Sequence, residues 1–106
     1  MYGLIGKMTA VAGKRHEVVA ALLEGTSRMP GCLSYIVALD PTDADGIWIT
    51  EAWDGPESHK ASLSLPQVQA AIAKAKPLIA GFSNRVETVP VGGHGLSSAG
   101  STGGRK

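Results

Sequence analysis

Along residues 4–11 the side chains alternate, with Leu4, Gly6, Met8 and Ala10 on one side and Ile5, Lys7, Thr9 and Val11 on the other, the period of a β-strand. Gly13 breaks the run. Over residues 14–29 the period lengthens: Val18, Val19, Leu22, Leu23 and Met29 recur near a helical spacing while Glu17 and Glu24 face outward, which predicts an amphipathic helix. Met29-Pro30-Gly31 ends it, because proline disfavours helical backbone in the residue before it and glycine accepts the turn that follows. Residues 32–39 are apolar apart from Ser34, the signature of a strand covered on both faces. The turn formers Asp40-Pro41-Thr42-Asp43-Ala44-Asp45-Gly46 lead into β-branched and aromatic residues at 47–53, so the two strands are expected to pair as an antiparallel hairpin. In the third strand Ile47, Ile49, Glu51 and Trp53 share one face, and Trp48, Thr50 and Ala52 the other.

Asp54-Gly55-Pro56-Glu57 reads as a helix start capped by Asp54, with Glu57 returning a bond to the cap and a short helix running to about Ser62. Ser64-Leu65-Pro66-Gln67 repeats that logic, with proline in the first turn where its missing N–H costs nothing. Val68, Ala71, Ile72 and Ala75 then mark a buried face up to Lys76, and Pro77 stops the helix. Residues 83–89, with Val86 and Val89 among polar neighbours, are expected to close the sheet as a fourth strand. From Gly92 to Lys106 there are six glycines, three serines and one large apolar side chain, Leu96, too little burial to offset the entropy of ordering. The chain divides accordingly into a folded domain over 1–91 and a Gly/Ser-rich tail over 92–106.

Strand, helix, strand, strand, helix, strand is the order of a split βαβ unit, an α+β ferredoxin-like fold in which helices cover one face of a four-stranded antiparallel sheet. Because the first two strands offer apolar residues to both faces, the uncovered face presents a patch larger than monomers tolerate, and a second copy can bury it sheet against sheet. A homodimer is the expectation.

Residues 1–91 carry eight basic and nine acidic side chains. Such a near-neutral body argues against nucleic acid, which demands a basic stripe to displace counterions, and against a charged membrane surface. No apolar run reaches the roughly 18 residues of a membrane-spanning helix, and the first residues lack the pattern of a signal peptide, so a cytoplasmic location is expected. Cys32 is the single cysteine. It excludes an intrachain disulfide and leaves no zinc pattern with the histidines, so no metal site is expected.

Gly13-Lys14 before the first helix, Met29-Pro30-Gly31-Cys32-Leu33-Ser34-Tyr35 into the second strand, and Thr50-Glu51-Ala52-Trp53-Asp54 leading to Ser64-Leu65-Pro66 together resemble the antibiotic biosynthesis monooxygenase domain family. The resemblance covers residues 2–91. It implies a dimeric α+β barrel, and activities that range from cofactor-free oxygenation of quinols and anthrones to haem cleavage, with some members lacking a known reaction. Cofactor-free oxygenation needs an apolar cavity for one or two aromatic rings, a base, and donors for the developing phenolate; the protein binds, deprotonates and excludes water. No cofactor is called for, and the gap between helices and sheet is the natural place for the cavity.

Trp53 matches the family's tryptophan before the second helix and shares a strand face with Glu51; it is a cavity wall, a core plug, or both. His59 has the pKa range to take a phenolic proton, unless it is merely a solvated surface residue. Family members with known chemistry carry their histidine a few residues later, near Ser62. The haem-cleaving branch uses an asparagine on the first strand, whereas the one asparagine here is Asn84, and the anthrone branch has an asparagine where this chain has Ile49. Glu51 is a second candidate base, if burial raises its pKa, or else a structural partner of Arg85. Trp53, His59 and Glu51 thus form the candidate catalytic set, with Tyr35, Phe82, Ile49 and Ile72 as candidate substrate contacts. Tyr35 is either a hydrogen-bond donor to a ring system or packing. Trp48 is expected at the dimer interface, His16 in solvent, Cys32 as a small buried hydrophobe, and His94 as no metal ligand. The function expected is oxygenation of a quinol-like or polycyclic phenolic substrate by O2; the alternative is a dimer of the same fold that binds a small hydrophobic ligand, or haem, without turnover.

Overall fold

The computed structural model describes residues 1–96; most of the expected tail, from residue 97 on, lies outside the described residues. β1 (Tyr2–Ala10), α1 (Arg15–Gly25), β2 (Cys32–Leu39), β3 (Gly46–Trp53), α2 (Pro56–Ser62), α3 (Pro66–Ala75) and β4 (Ile79–Thr88) follow in that order, with a 3-10 turn over Lys76–Leu78 before β4. The sheet runs β2-β3-β1-β4, antiparallel at every pairing, which is the α+β ferredoxin-like arrangement the element order predicts. No helix among the described residues is long and apolar enough to cross a membrane.

Register assigns the faces. Tyr2, Leu4, Gly6 and Met8 stand opposite Trp53, Glu51, Ile49 and Ile47, and the helices cover this side. Its main core joins Ala10, Ile47 and Ile49 of the sheet to Val18, Ala21, Leu22 and Ala75 of α1 and α3. A smaller core gathers Met29, Trp53 and Val68, with Tyr2, Cys32, Tyr35 and Leu65 packed around it. Trp53, Ile47 and Val18 are the largest fully enclosed side chains, each worth about 1.5–3 kcal/mol of burial. The opposite face pairs Ile5 with Thr50 and Val86, and Ile36 with Thr50; Ile36 and Val86 are exposed there.

Several boundaries differ from the expected ones. β1 starts at Tyr2, because Tyr2 pairs with Trp53, and stops before Val11, whose N–H turns away to the Leu78 carbonyl at 2.8 Å. α1 stops at Gly25 rather than Met29: both the N–H and the hydroxyl of Thr26 donate to the Leu22 carbonyl, at 3.1 and 2.7 Å, and close the last turn. Met29 is buried all the same, from a loop, in the smaller core. Asp54 does not cap α2. Its N–H donates to the Gly31 carbonyl at 2.9 Å, and the cap position falls to Gly55 without a side-chain bond. Ser64 does not cap α3, because its N–H is used in the turn after α2, bonded to the Ala61 carbonyl at 3.1 Å, and Leu65 holds the cap position. β4 begins at Ile79, four residues before the expected start, and ends at Thr88 rather than Val89; pairing along β1 draws Ile79–Phe82 into the sheet. Ile72 is not on the buried face of α3, being 48% exposed. Val68, Ala71 and Ala75 take that face.

The turn between β2 and β3 is fastened from below. Arg15 Nη1 reaches the carbonyls of Asp40, Asp43 and Gly46 at 3.3, 2.9 and 3.4 Å. Lys7 Nζ bridges Asp40 and Asp43 at 3.1 and 3.0 Å, and the Trp48 indole donates to Asp40 at 2.9 Å.

Candidate active site

Between the two cores lies a cavity of about 690 Å³. Its walls come from both, among them Met8 and Leu22 from one side and Met29, Trp53 and Val68 from the other. Leu63, Ile72 and Phe82 line it while remaining 48, 48 and 72% exposed, so the mouth is rimmed by large apolar side chains. A space of this size and character suits a molecule of a few fused rings.

Strand alternation puts Glu51 and Trp53 on the cavity face two residues apart, and α2 folds back so that His59 covers them. The Trp53 indole donates to Glu51 Oε1 at 2.9 Å. His59 Nε2 lies 3.8 Å from that same oxygen, with both side chains largely enclosed. The imidazole is held between two rings: Tyr2 at 5.6 Å between centroids and Trp53 at 5.5 Å, edge-on at 73°. His59 is therefore not a solvated surface residue. α2 is short, but Ser62, buried at its end, donates its hydroxyl to the His59 carbonyl at 2.6 Å and fixes the backbone there.

The expected pairing of Glu51 with Arg85 does not form. A bulge in β4 shifts its register against β1 between Ile5 and Lys7, with Asn84 at a φ of 53°, and Arg85 faces Glu87 at 3.9 Å instead. Glu87 Oε2 in turn accepts the Tyr2 hydroxyl at 2.7 Å, which raises the tyrosine's pKa. One carboxylate oxygen of Glu51 is thereby oriented by an indole, and no lysine or arginine pairs with it among the described residues.

Tyr35 stands opposite Glu51 across the β2–β3 pairing and lines the cavity. Burial, with smaller contributions from the Glu51 and Cys32 charges, pushes its phenol well above the ordinary value, so it stays a neutral O–H donor. Phe82 and Ile72 also line the cavity. Ile49 does not line this space; it is 5% exposed in the main core and borders a smaller adjoining one. Cys32 is half-buried against the smaller core, its thiol pushed up by burial, which suits packing rather than nucleophilic attack. Among the described residues no group of three His, Cys, Asp or Glu side chains is placed to hold a metal ion.

Sequence reasoning missed Tyr2 and Met29. Tyr2 continues the alternation of Leu4, Gly6 and Met8 one step toward the N-terminus, a usable signal. Met29 carried a helix-like spacing that a loop happened to satisfy.

The model of the antibiotic biosynthesis monooxygenase family matches residues 1–74. No curated protein matches the chain. Among solved structures, a protein of Chloroflexus aurantiacus J-10-fl provisionally named an antibiotic biosynthesis monooxygenase is 67% identical, with a TM-score of 0.87 over 90% of this chain and 97% of its own. A Deinococcus radiodurans protein with the same provisional name is 25% identical, with a TM-score of 0.70 over 88% and 95% of the two chains. A Nitrosomonas europaea protein at 16% identity shares the fold, with a TM-score of 0.72 over 87% and 98%. With a family model spanning more than half of its length and a relative this similar over nearly all of it, the chain belongs to the antibiotic biosynthesis monooxygenase family.

Proposed function

We propose that this chain is a homodimeric monooxygenase that uses no cofactor and inserts one atom of O2 into a quinol-like or polycyclic phenolic substrate. The observation that carries the reading is the convergence, in one apolar cavity, of an oriented carboxylate, an enclosed imidazole and a neutral phenol donor: Glu51, His59 and Tyr35. Family membership supports the reaction class.

Ground-state O2 is a triplet and reacts with a closed-shell molecule through one-electron transfer, which a phenolate permits and a phenol resists. Glu51 Oε1 is occupied by Trp53, so Oε2 takes the substrate's hydroxyl proton, and His59, 3.8 Å from Oε1 of the same carboxylate, stabilises or receives that proton. The Tyr35 O–H holds the phenolate oxygen. The phenolate passes one electron to O2, and the radical pair closes a carbon–oxygen bond. The O–O bond then breaks. One oxygen stays on the ring carbon and the other leaves as water with two hydrogens of the substrate, so a quinol becomes a hydroxyquinone. All four electrons come from the substrate and no external reductant enters. The apolar walls and mouth keep water from the radical pair.

The partner is a second copy, seated on the open sheet face where Ile36 and Val86 are 54 and 51% exposed. That contact stiffens the sheet floor under each cavity.

The test is anaerobic incubation with 1,4-dihydroxynaphthalene, followed by ¹⁸O2 and product mass measurement against the enzyme-free rate. One labelled oxygen per product and one O2 consumed per substrate are expected. Removing the base is expected to cost about 10²–10⁴-fold, so Glu51→Gln combined with His59→Ala should bring uptake close to the enzyme-free rate. Unchanged uptake in that double variant overturns the assignment, and ligand binding without uptake replaces it with the binding-only reading.

A further inference from the structure

Gly6 stands inside β1, where glycine weakens a strand and often marks a site at which a ligand or another backbone comes close. Nothing in the backbone calls for it, since its φ is not positive. Packing does not either: a Cβ placed there meets nothing nearer than the Arg85 Cα at 4.0 Å. Other strand glycines differ. A Cβ on Gly3 would run into Thr88, and one on Gly46 would press on Asp40 at 2.9 Å. Gly81 is also uncrowded, but it borders the main cavity and not the second space described next.

The missing side chain leaves room. A second space of about 350 Å³ borders Gly6, Leu4 and Ile49 and shares Met8, Tyr35, Glu51 and Phe82 with the main cavity, so the two adjoin. Arg85, 63% exposed, also borders it; the register Leu4–Glu87 and Ile5–Val86 runs on to set it beside Gly6, ahead of the bulge at Asn84. Lys7 also borders this space but is engaged by Asp40 and Asp43 at 3.1 and 3.0 Å. Arg85 has a looser partner: Glu87 lies 3.9 Å away, with an oxygen already accepting the Tyr2 hydroxyl. A planar guanidinium bordering an apolar annex, with only this loose partner, matches a carboxylate.

We propose that this annex receives a carboxylate-bearing substituent of the substrate, making it an aromatic hydroxy acid, with Gly6 supplying the room and Arg85 the counter-charge. The proposal rests on the reading of the main cavity as a phenol site. Because Glu51 borders both spaces, the substrate lies with its ring hydroxyl toward Glu51 and its carboxylate away from it, toward Arg85.

Calorimetric binding of 6-hydroxy-2-naphthoic acid and of 2-naphthol to the full chain tests this without turnover. The acid is expected to bind about 10-fold more tightly than the naphthol, one charge-assisted contact's worth. Arg85→Gln, an exposed substitution, should remove that preference and leave 2-naphthol within about 2-fold. Gly6→Leu, which fills the annex, should weaken the acid alone. Equal affinities for the native chain, or a preference that survives Arg85→Gln, overturn the proposal. A preference for the acid without oxygen uptake on the dihydroxynaphthalene leaves the annex standing and sinks the oxygenase reading. Uptake without a preference does the reverse, and failure of both ligands to bind overturns both.

Discussion

Glu51 illustrates how strand alternation can orient one carboxylate. Its neighbour two residues on donates an indole N–H to Oε1, orienting a carboxylate that lines the cavity. A hydrogen bond to a charged group is worth about 1.5–3 kcal/mol, so Trp53→Phe, which keeps a ring against His59 but removes the donor, should lower stability by roughly that amount at pH 7. Part of the loss comes from the smaller ring. A double-mutant cycle with Glu51→Gln in urea separates the two, and a coupling near zero would show the bond to be idle. Tyr35 gives a second prediction at this scale. Its phenol is raised above the ordinary tyrosine value by burial, so it remains protonated past pH 10 and contributes no alkaline limb to the rate. Tyr35→Phe should therefore reduce uptake by about 10²-fold, as loss of one oxyanion donor does, and leave the shape of the pH profile unchanged. A vanished alkaline limb in that variant would mean that Tyr35 titrates and acts as a base.

Elements meet where small side chains allow it. Gly25, in the last turn of α1, lies against Ala71 of α3, and a Cβ there would strike the Ala71 Cβ and press on the Gln67 carbonyl at 3.0 Å. Helix propensity favours alanine over glycine by about 1 kcal/mol, but neither obstacle is a flexible side-chain end, and overpacking costs about 1–3 kcal/mol. Gly25→Ala should lower Tm, whereas Gly6→Ala should not. The β2–β3 turn makes a pH prediction. The Thr42 amide, the Trp48 indole and Lys7 hold the Asp40 carboxyl well below its usual range. A depressed folded-state pKa stabilises above the unfolded value, near about 4, and that stability is lost as pH falls through the folded one. Asp40→Asn should flatten the acid limb of the urea midpoint below about pH 4, with little change in its slope between pH 5 and 7. Much of this is legible in the sequence, because alternation and turn residues act locally: the apolar run 32–39 coincides with β2 at both ends, and alternation sets Glu51 and Trp53 on one face. What was not legible depends on distant partners. The Glu51–Arg85 pairing failed because the register that sets Leu4 between Glu51 and Glu87, and gives Arg85 the neighbouring Glu87, leaves no mark in the spacing of residues 83–89. Helical spacing groups Ile72 with the core, although α3 is turned so that Ala71 packs on Gly25 and Ile72 faces outward. Spacing alone does not decide the place of His59, since only the return of α2 over Tyr2 and Trp53 encloses it.

At the scale of the whole molecule the unresolved physical demand is the open face of the sheet. Ile36 and Val86 lie more than half exposed there, near half-buried Ile5 and Trp48, and isolated chains seldom leave a contiguous apolar patch of more than a few hundred Å² to water. The helices cannot cover it, since both crossovers place them on the other side. A second copy meeting the same face satisfies the demand symmetrically, because in a two-fold contact each residue of the patch serves both partners. Lys7 stands on this face as well, but its charge is balanced by Asp40 and Asp43 and does not oppose association. Sedimentation at micromolar concentration should therefore show dimers. Ile36→Glu with Val86→Glu should yield monomers, since four carboxylates would be buried without partners, a cost of several kcal/mol per ion. The cavity lies on the far side of the sheet from these two substitutions, so the monomers should keep their helices by circular dichroism yet unfold at lower urea and bind 2-naphthol more weakly as the cavity floor loosens. If the native chain sediments as a monomer, or the double variant remains dimeric, the open face is not the interface and the sheet-to-sheet arrangement is wrong.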